Sequence, residues 1–374
     1  MHEPRSLTRR AFGVLTAALT AALVAAVPAV PASAAPGSDP DLVVMTRNLY
    51  LGSSLAPALT ATTPEGFVAA VARIYATVQY TDFPARAEAL ADEIEATSPD
   101  LVGLQEVTRW TTSGVNPPPG YDFLPVLQEA LEARGLDYSV AATVDNASIG
   151  PAPLALATQG CVQPGPTITC AVRLQDRDVI LVNDDTPGLT WSNPQSGRYR
   201  AQALLPSPVG PLSFDRGWVS IDARLDRKPF RFVNTHLETE AFPAVQQAQA
   251  AEFLAGPGRR GTVIATGDFN SAADGSSTTS YAQLTARGRF RDAWDERLLG
   301  AGLTCCQTSS TPPLAPGALN NPVSTLRTRI DLVLSRGAAR AVPGEAVVVG
   351  DVPFQGVPPF WASDHAGVVA GFDL

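Results

Sequence analysis

The chain predicts an α/β (α+β) fold of mixed β-sheets packed face to face and flanked by helices. Apolar runs of strand length recur from end to end, Leu101–Leu104 and Val263–Thr266 among them. Between some of them lie stretches with helical spacing of apolar residues. The two kinds do not alternate strictly, which argues against one doubly wound parallel sheet and for stacked sheets. There is no internal repeat and no evident linker.

Asp41 to Tyr50 reads as the first strand, with Asn48 at its exit. Thr63-Pro64-Glu65-Gly66-Phe67 reads as a capped helix start with Pro64 in the first helical position. From Pro84 to Ala96, Ala87, Leu90, Ala91 and Ile94 form one apolar stripe among acidic residues, and Ser98-Pro99-Asp100 stops that helix. Leu101–Val107 is a buried strand that meets a carboxylate, Glu106, at its end. A helix is expected over Pro125–Arg134 and a strand over Tyr138–Thr143. Residues 145–170 are rich in Pro and Gly and read as irregular. Short strands follow at 171–174 and 178–182, then a long loop region over 183–211. Trp218–Leu225 and Phe230–Leu237, joined at Arg227-Lys228-Pro229, predict a hairpin. A helix over Gln246–Leu254 leads to the Val263–Thr266 strand. Arg329–Leu334 and a final strand after Asp364-His365 complete the set.

The N-terminus is expected to be an export signal over residues 1–35, leaving 36–374 as one catalytic domain. Arg5, Arg9 and Arg10 precede an Ala/Leu/Val run and a small-residue site at Ala32-Ser33-Ala34. Thr8-Arg9-Arg10-Ala11-Phe12 resembles a twin-arginine signal. The run is short and Ala-rich and ends at Pro28 and Pro31, which favours cleavage over a membrane anchor. The expectation is a secreted monomer. Losing Glu3, Arg5, Arg9 and Arg10 takes the formal charge from -9 to -11. So acidic a chain lacks the basic footprint of a general nucleic-acid coat, although local arginines and a metal still permit a nuclease. All four cysteines fall in the exported part, where disulfides form. The favoured pairing is Cys161–Cys170 across a turn-rich loop, with a vicinal Cys305–Cys306 bond.

Polar residues interrupt the apolar strands, or sit at their ends, at Asn48, Glu106, Asn234/His236, Asp268/Asn270, Asp331 and Asp364/His365. Of three histidines, His2 lies in the leader and both others belong to this set. A lone core histidine is usually structural; two of two at such interruptions argue for chemistry. In Gly267-Asp268-Phe269-Asn270 a tight turn delivers a carboxylate and, two residues on, a carboxamide toward one volume. A carboxylate polarises water and an amide donates to an oxyanion, a pairing suited to phosphate.

The order Asn48, Gln105-Glu106, Asn234-Thr235-His236-Leu237, Gly267-Asp268-Phe269-Asn270, Arg329-Ile330-Asp331, Ser363-Asp364-His365 resembles the endonuclease/exonuclease/phosphatase superfamily. Its members include secreted DNase I-like nucleases, abasic-site endonucleases, bacterial neutral sphingomyelinases and inositol-phosphate phosphatases. The resemblance implies a four-layer α/β sandwich with its site at one rim. It makes Glu106 the principal Mg²⁺ ligand, with Asn48 and Asp364 nearby; Mn²⁺ or another divalent cation suits the same oxygen ligands. It makes His365 the base that activates water, oriented by Asp331 and assisted by Asp268. It assigns His236 and Asn270 to phosphate charge, with Arg216 and Asn234 as substrate-binding residues. Two departures stand out. Ala366-Gly367 follows Ser363-Asp364-His365 where several relatives have Tyr-Pro, and no acidic partner for His236 is visible in the sequence.

Three substrate readings follow. A phospholipid or sphingolipid headgroup phosphodiesterase is favoured by the loop 351–361, whose Phe354, Phe360 and Trp361 are candidates for peripheral membrane contact; packing under the loop is the plain alternative. An extracellular nuclease would use Arg198, Arg200, Arg216, Arg327 and Arg329. A phosphomonoesterase and a non-catalytic binding protein rank lower, the latter because no core position of the set is missing.

Overall fold

The computed structural model describes residues 40–156, 160–161, 168–259, 261–308 and 314–374. The expected export segment lies outside them. From Asp39 onward the chain packs as one unit.

In chain order the elements are β1 (Leu42–Asn48), α1 (Ala56–Leu59), α2 (Pro64–Tyr80), α3 (Phe83–Thr97), β2 (Leu101–Gln105), β3 (Arg109–Gly114), β4 (Tyr121–Asp122) and α4 (Phe123–Glu132). They continue with β5 (Tyr138–Pro153), β6 (Cys170–Asn183), β7 (Leu189–Arg198), β8 (Ala203–Leu205), β9 (Leu212–Phe214), β10 (Gly217–Leu225) and β11 (Lys228–His236). Then come α5 (Pro243–Ala255), β12 (Val263–Asp268), β13 (Arg291–Asp292), β14 (Asp331–Arg336), β15 (Arg340–Val349) and β16 (Gly367–Asp373).

Two large mixed sheets result. One runs β15-β16-β1-β2-β6-β3-β4, with β5 also paired to β6. The other runs β13-β14-β12-β11-β10-β7. Period-2 alternation then sorts the side chains into layers. Val44, Leu101 and Ile180 of the first sheet meet Ile221, Phe232, Ile264 and Val333 of the second in a core between the sheets. The residues next to them, Met45, Val102 and Leu181, face outward and pack against α2, α3 and α4. Val233, Ala265 and Leu332 do the same against α5 on the far side. Helix, sheet, sheet and helix make the expected four-layer sandwich.

The helix signals act locally as read. Thr63 Oγ1 accepts the Gly66 N–H at 3.0 Å, capping α2 behind Pro64. In α3 the stripe Ala87, Leu90, Ala91 and Ile94 is buried, and Ser98 closes the helix in a left-handed conformation. Gly103 allows the two sheets to approach: a Cβ there would lie 2.1 Å from Thr266 Oγ1 and 2.7 Å from Asn234 Oδ1.

Three expectations fail over residues 145–211. Residues 145–153 continue β5 instead of being irregular. The two short strands at 171–182 are one strand, β6. The supposed loop at 183–211 contains β7 and β8. The causes are physical. The β5–β6 ladder carries three register shifts, and each one breaks the alternation that marks a strand. β7 is an edge strand exposed along most of its length, so no apolar pattern is needed there. Cys161 and Cys170 are disulfide-bonded, as expected, and Cys305 is bonded to Cys306.

Candidate active site

Strand direction gathers the polar interruptions. β1 and β2 are parallel, as are β11 and β12, so all four end at one rim. β14 runs antiparallel to β12 and β16 antiparallel to β1, so both begin at that rim. Register does the rest: His236 pairs with Asp268, and Asp268 with Asp331, in one row across the second sheet. Asn48 pairs with Gln105 in the first. By alternation these side chains face the gap between the sheets, where it opens at the rim. Gly267 permits the close pairing, since a Cβ there would lie 2.1 Å from Thr235 O.

His365 Nδ1 lies 2.8 Å from Asp331 Oδ2, and both residues are buried. The other nitrogen, Nε2, is 3.9 Å from Asp268 Oδ2, 4.0 Å from Asp364 Oδ1 and 3.8 Å from Cys306 Sγ. Burial works against an imidazolium here, but Asp331, Asp364 and Asp268 together raise the His365 pKa well above its ordinary value. Burial also opposes ionisation of Asp268, yet His236, His365 and the Asn270 N–H hold its carboxyl well below the usual range.

His236 Nε2 is 3.3 Å from Asp268 Oδ2. Arg216 Nη1 is 3.0 Å from each ring nitrogen, and Arg216 Nη2 is 3.7 Å from Glu238 Oε1. Burial and Arg216 lower the His236 pKa, while Asp268 and Asp178 raise it; the net shift is upward. The acid missing from the sequence reading is therefore present. Besides Asp268, Asp176 and Asp178 of β6 offer oxygens within 4.8 Å of His236 and of each other. Burial pushes Asp176 up to about 6 and Asp178 up to about 7. The sequence signal was two acids at period 2, Asp176 and Asp178, directly before the apolar run Val179–Val182.

Glu106 takes a left-handed backbone, φ 55, directly after β2, and accepts the Leu51 N–H at 2.7 Å. Glu106, Asp364 and Arg216 line one cavity of ≈ 690 Å³. Asp364 Oδ1 is buried without a hydrogen-bond partner among the described residues. Burial, with Glu106 adding to it, pushes that carboxyl up to about 7. Two carboxylates facing one space, one of them with an orphaned buried oxygen, fit a hard divalent cation. Asn48 is beside them: its Oδ1 accepts the Tyr50 N–H at 2.8 Å and its amide donates to Asp268 Oδ2 at 3.2 Å. Asp268, Asp331 and His365 form a second group with ligand atoms within 4.8 Å.

Three expected positions act differently. Asn234 does not reach the cavity. Its amide donates to Leu104 O at 2.7 Å and Val179 O at 3.1 Å, and its Oδ1 accepts Gln105 Nε2 at 2.6 Å. It lies two residues deeper than His236 on the same face, so it bolts one sheet to the other. Asn270 donates to Leu237 O at 3.0 Å and its amide nitrogen is 3.1 Å from His236 Nε2, so it fixes the histidine instead of presenting a free donor. Trp361 of the aromatic loop is a core residue: it is 1% exposed, packs with Tyr50 and Leu319, and donates its indole N–H to Asn321 O at 2.7 Å. Phe354 and Phe360 are half-buried against the core.

Sequence reasoning missed two buried arginines that frame the site. Arg47 pairs with Glu93 at 2.8 Å and donates to His365 O. Arg86 donates to Thr81 O, Leu49 O and Ala362 O, tying the loop after β1 to the segment before Asp364. Burial lowers its pKa to about 10.

Residues 77–365 match the model of the Endonuclease/Exonuclease/phosphatase family. Solved structures share the fold. A family protein from Bacteroides thetaiotaomicron is 16% identical, with a TM-score of 0.51 over 89% of this chain and 95% of that one. A mannosyl-6-phosphatase from the same species is 15% identical, with a TM-score of 0.52 over 89% of this chain and all of that one, 100%. A family protein from Leptotrichia buccalis is 14% identical, with a TM-score of 0.52 and coverages of 89% and 100%. No curated protein matches the chain. With the match running over most of its length and ending on His365, the chain belongs to the endonuclease/exonuclease/phosphatase family, whose members are hydrolases of phosphate esters.

Proposed function

We propose that the chain is a secreted, Mg²⁺-dependent phosphodiesterase that cleaves a phospholipid or sphingolipid headgroup. One observation carries the chemistry: the His365 ring is tied through Nδ1 to Asp331 and turns Nε2 toward Asp268 and Asp364. A water placed against Nε2 and Asp268 gives up its proton to the imidazole as its oxygen attacks phosphorus, and the bond from phosphorus to the leaving oxygen breaks in line. Asp331 stabilises the imidazolium. Arg216 and His236 face the phosphate oxygens, with Asn270 beside the His236 ring. Glu106 and Asp364, with Asn48 beside them, would hold the cation. When bound, that ion supplies positive charge that offsets the phosphate and the carboxylates that hold the proton on His365.

The nuclease reading loses support in the arginines. Arg198 pairs with Asp215 at 3.1 Å, Arg200 with Glu252 at 3.4 Å and Arg329 with Asp292 at 2.6 Å. With Arg216 beside Glu238 at 3.7 Å, four of the five candidate backbone contacts already have carboxylate partners. Purified mature protein with Mg²⁺ should release phosphorylated headgroups from phospholipid and sphingomyelin vesicles and leave plasmid DNA intact. Nicked plasmid with intact lipid would reverse the substrate assignment.

A further inference from the structure

We infer that an apolar trough leading away from the phosphate end of the site binds the hydrocarbon part of an amphiphilic phosphate ester. The inference rests on the phosphodiesterase reading and adds the subsite that selects the substrate's tail. The cavity that Glu106, Arg216 and Asp364 line at one end is walled elsewhere mainly by apolar side chains. Leu55 and Leu59 come from the segment around α1, Leu205 and Phe214 from the β8–β9 hairpin, and Phe242 from the turn before α5. Beyond Leu55, Leu59 and Phe214 lies a second recess of ≈ 60 Å³, lined by those three residues and by core side chains such as Phe67, Trp110 and Val172. A charged end that opens into an apolar channel has the polarity of an amphiphile laid lengthwise.

The hairpin strengthens this reading. Ala203 pairs with Phe214 and Leu205 with Leu212, so alternation sends Leu204 to the opposite face. Leu204 is 68% exposed, and Val209 at the turn is 56% exposed. Apolar side chains therefore line the trough on the inner face and meet solvent on the outer face of one element beside the site. A sugar phosphate would leave this wall without a partner, because it is polar beyond the phosphate. Continuity with the phosphate end identifies the occupant as part of the substrate and not a separate protein.

The test separates binding from turnover. Alkylphosphonates with chains of four to ten carbons, held below micelle formation, are titrated into the full mature protein with Mg²⁺ by calorimetry. They carry the anionic head and resist hydrolysis. Affinity should rise about three- to fourfold per added methylene until the trough is filled. The double variant Leu59→Gln, Leu205→Gln should flatten that slope while its thermal unfolding stays cooperative. A chain-length slope that is flat in the wild type would overturn the trough. So would an unchanged slope in the double variant and in Phe214→Ser, which opens the same wall from the hairpin. Headgroup release, measured in parallel, reports on the phosphodiesterase reading separately: a steep slope with no hydrolysis of any ester would keep the trough and remove the catalytic assignment.

Discussion

Asp331 and His365 meet through Oδ2 and Nδ1 at 2.8 Å although 34 residues separate them in the chain. The contact exists because β14 and β16 both begin at the same rim, one in each sheet. It fixes the ring and leaves Nε2 as the nitrogen that works on water. Asp331→Asn should therefore keep the fold but reduce kcat by roughly 10²–10⁴, as when a histidine loses its orienting carboxylate. Steady-state rates with circular dichroism as the fold control would check this; near-normal turnover would remove Asp331 from the mechanism.

The same neighbours predict a pH profile. His365 is held above its ordinary value by Asp331, Asp364 and Asp268. A base must be deprotonated to act, so activity should fall on acidification as His365 takes up its proton. Residual activity in Asp331→Asn should show that limb moved to lower pH. An acid limb identical in both proteins would contradict the assignment of the base.

Asn234 gives a prediction of the opposite kind. Three of its four buried hydrogen bonds join the sheets and none points at the cavity. Asn234→Ala should cost about 2–4 kcal/mol in denaturant unfolding and leave KM within about twofold. A large change in KM with normal stability would restore it to the substrate site.

The Asp176/Asp178 pair makes stability depend on pH. Burial raises both carboxyls, to about 6 and about 7, above their unfolded values. The folded state then binds more protons than the unfolded state over that range, so this pair loses stability as pH rises from about 4 to 7. Asp178→Asn removes the buried charge. In chelator it should raise the Tm relative to wild type at pH 8, and the gain should shrink toward pH 4. A variant less stable than wild type at pH 8 would show that the carboxylate is held by a partner.

Much of this was legible because catalytic polarity violates strand patterning. Glu106, His236, Asp268, Asp331 and His365 each stand in or beside apolar runs, and each sits at the rim. What the sequence hid depends on relations across the fold. Asn234 and His236 share a face, and only the depth of the sheet sandwich decides that one bolts the core while the other meets Asp268 and Arg216 at the rim. Arg86 and Trp361 look like surface residues in a local window, but both are buried by segments far away in the chain. β7 lacks an apolar pattern because an edge strand in solvent has no need of one, and β5 loses its pattern at its bulges.

Metal-assisted attack of water on phosphorus with His365 as the base leaves an isotopic signature. It is tested most directly by hydrolysis of bis(4-nitrophenyl) phosphate in ¹⁸O-water by wild type and His365→Ala, each with Mg²⁺ and in EDTA. Expected are ¹⁸O in the phosphorus-containing product of the wild type with Mg²⁺, no turnover in EDTA until Mg²⁺ is added back, and a loss of at least about 10³-fold in His365→Ala. Turnover that persists in chelator, or a variant that retains wild-type rates, would contradict it.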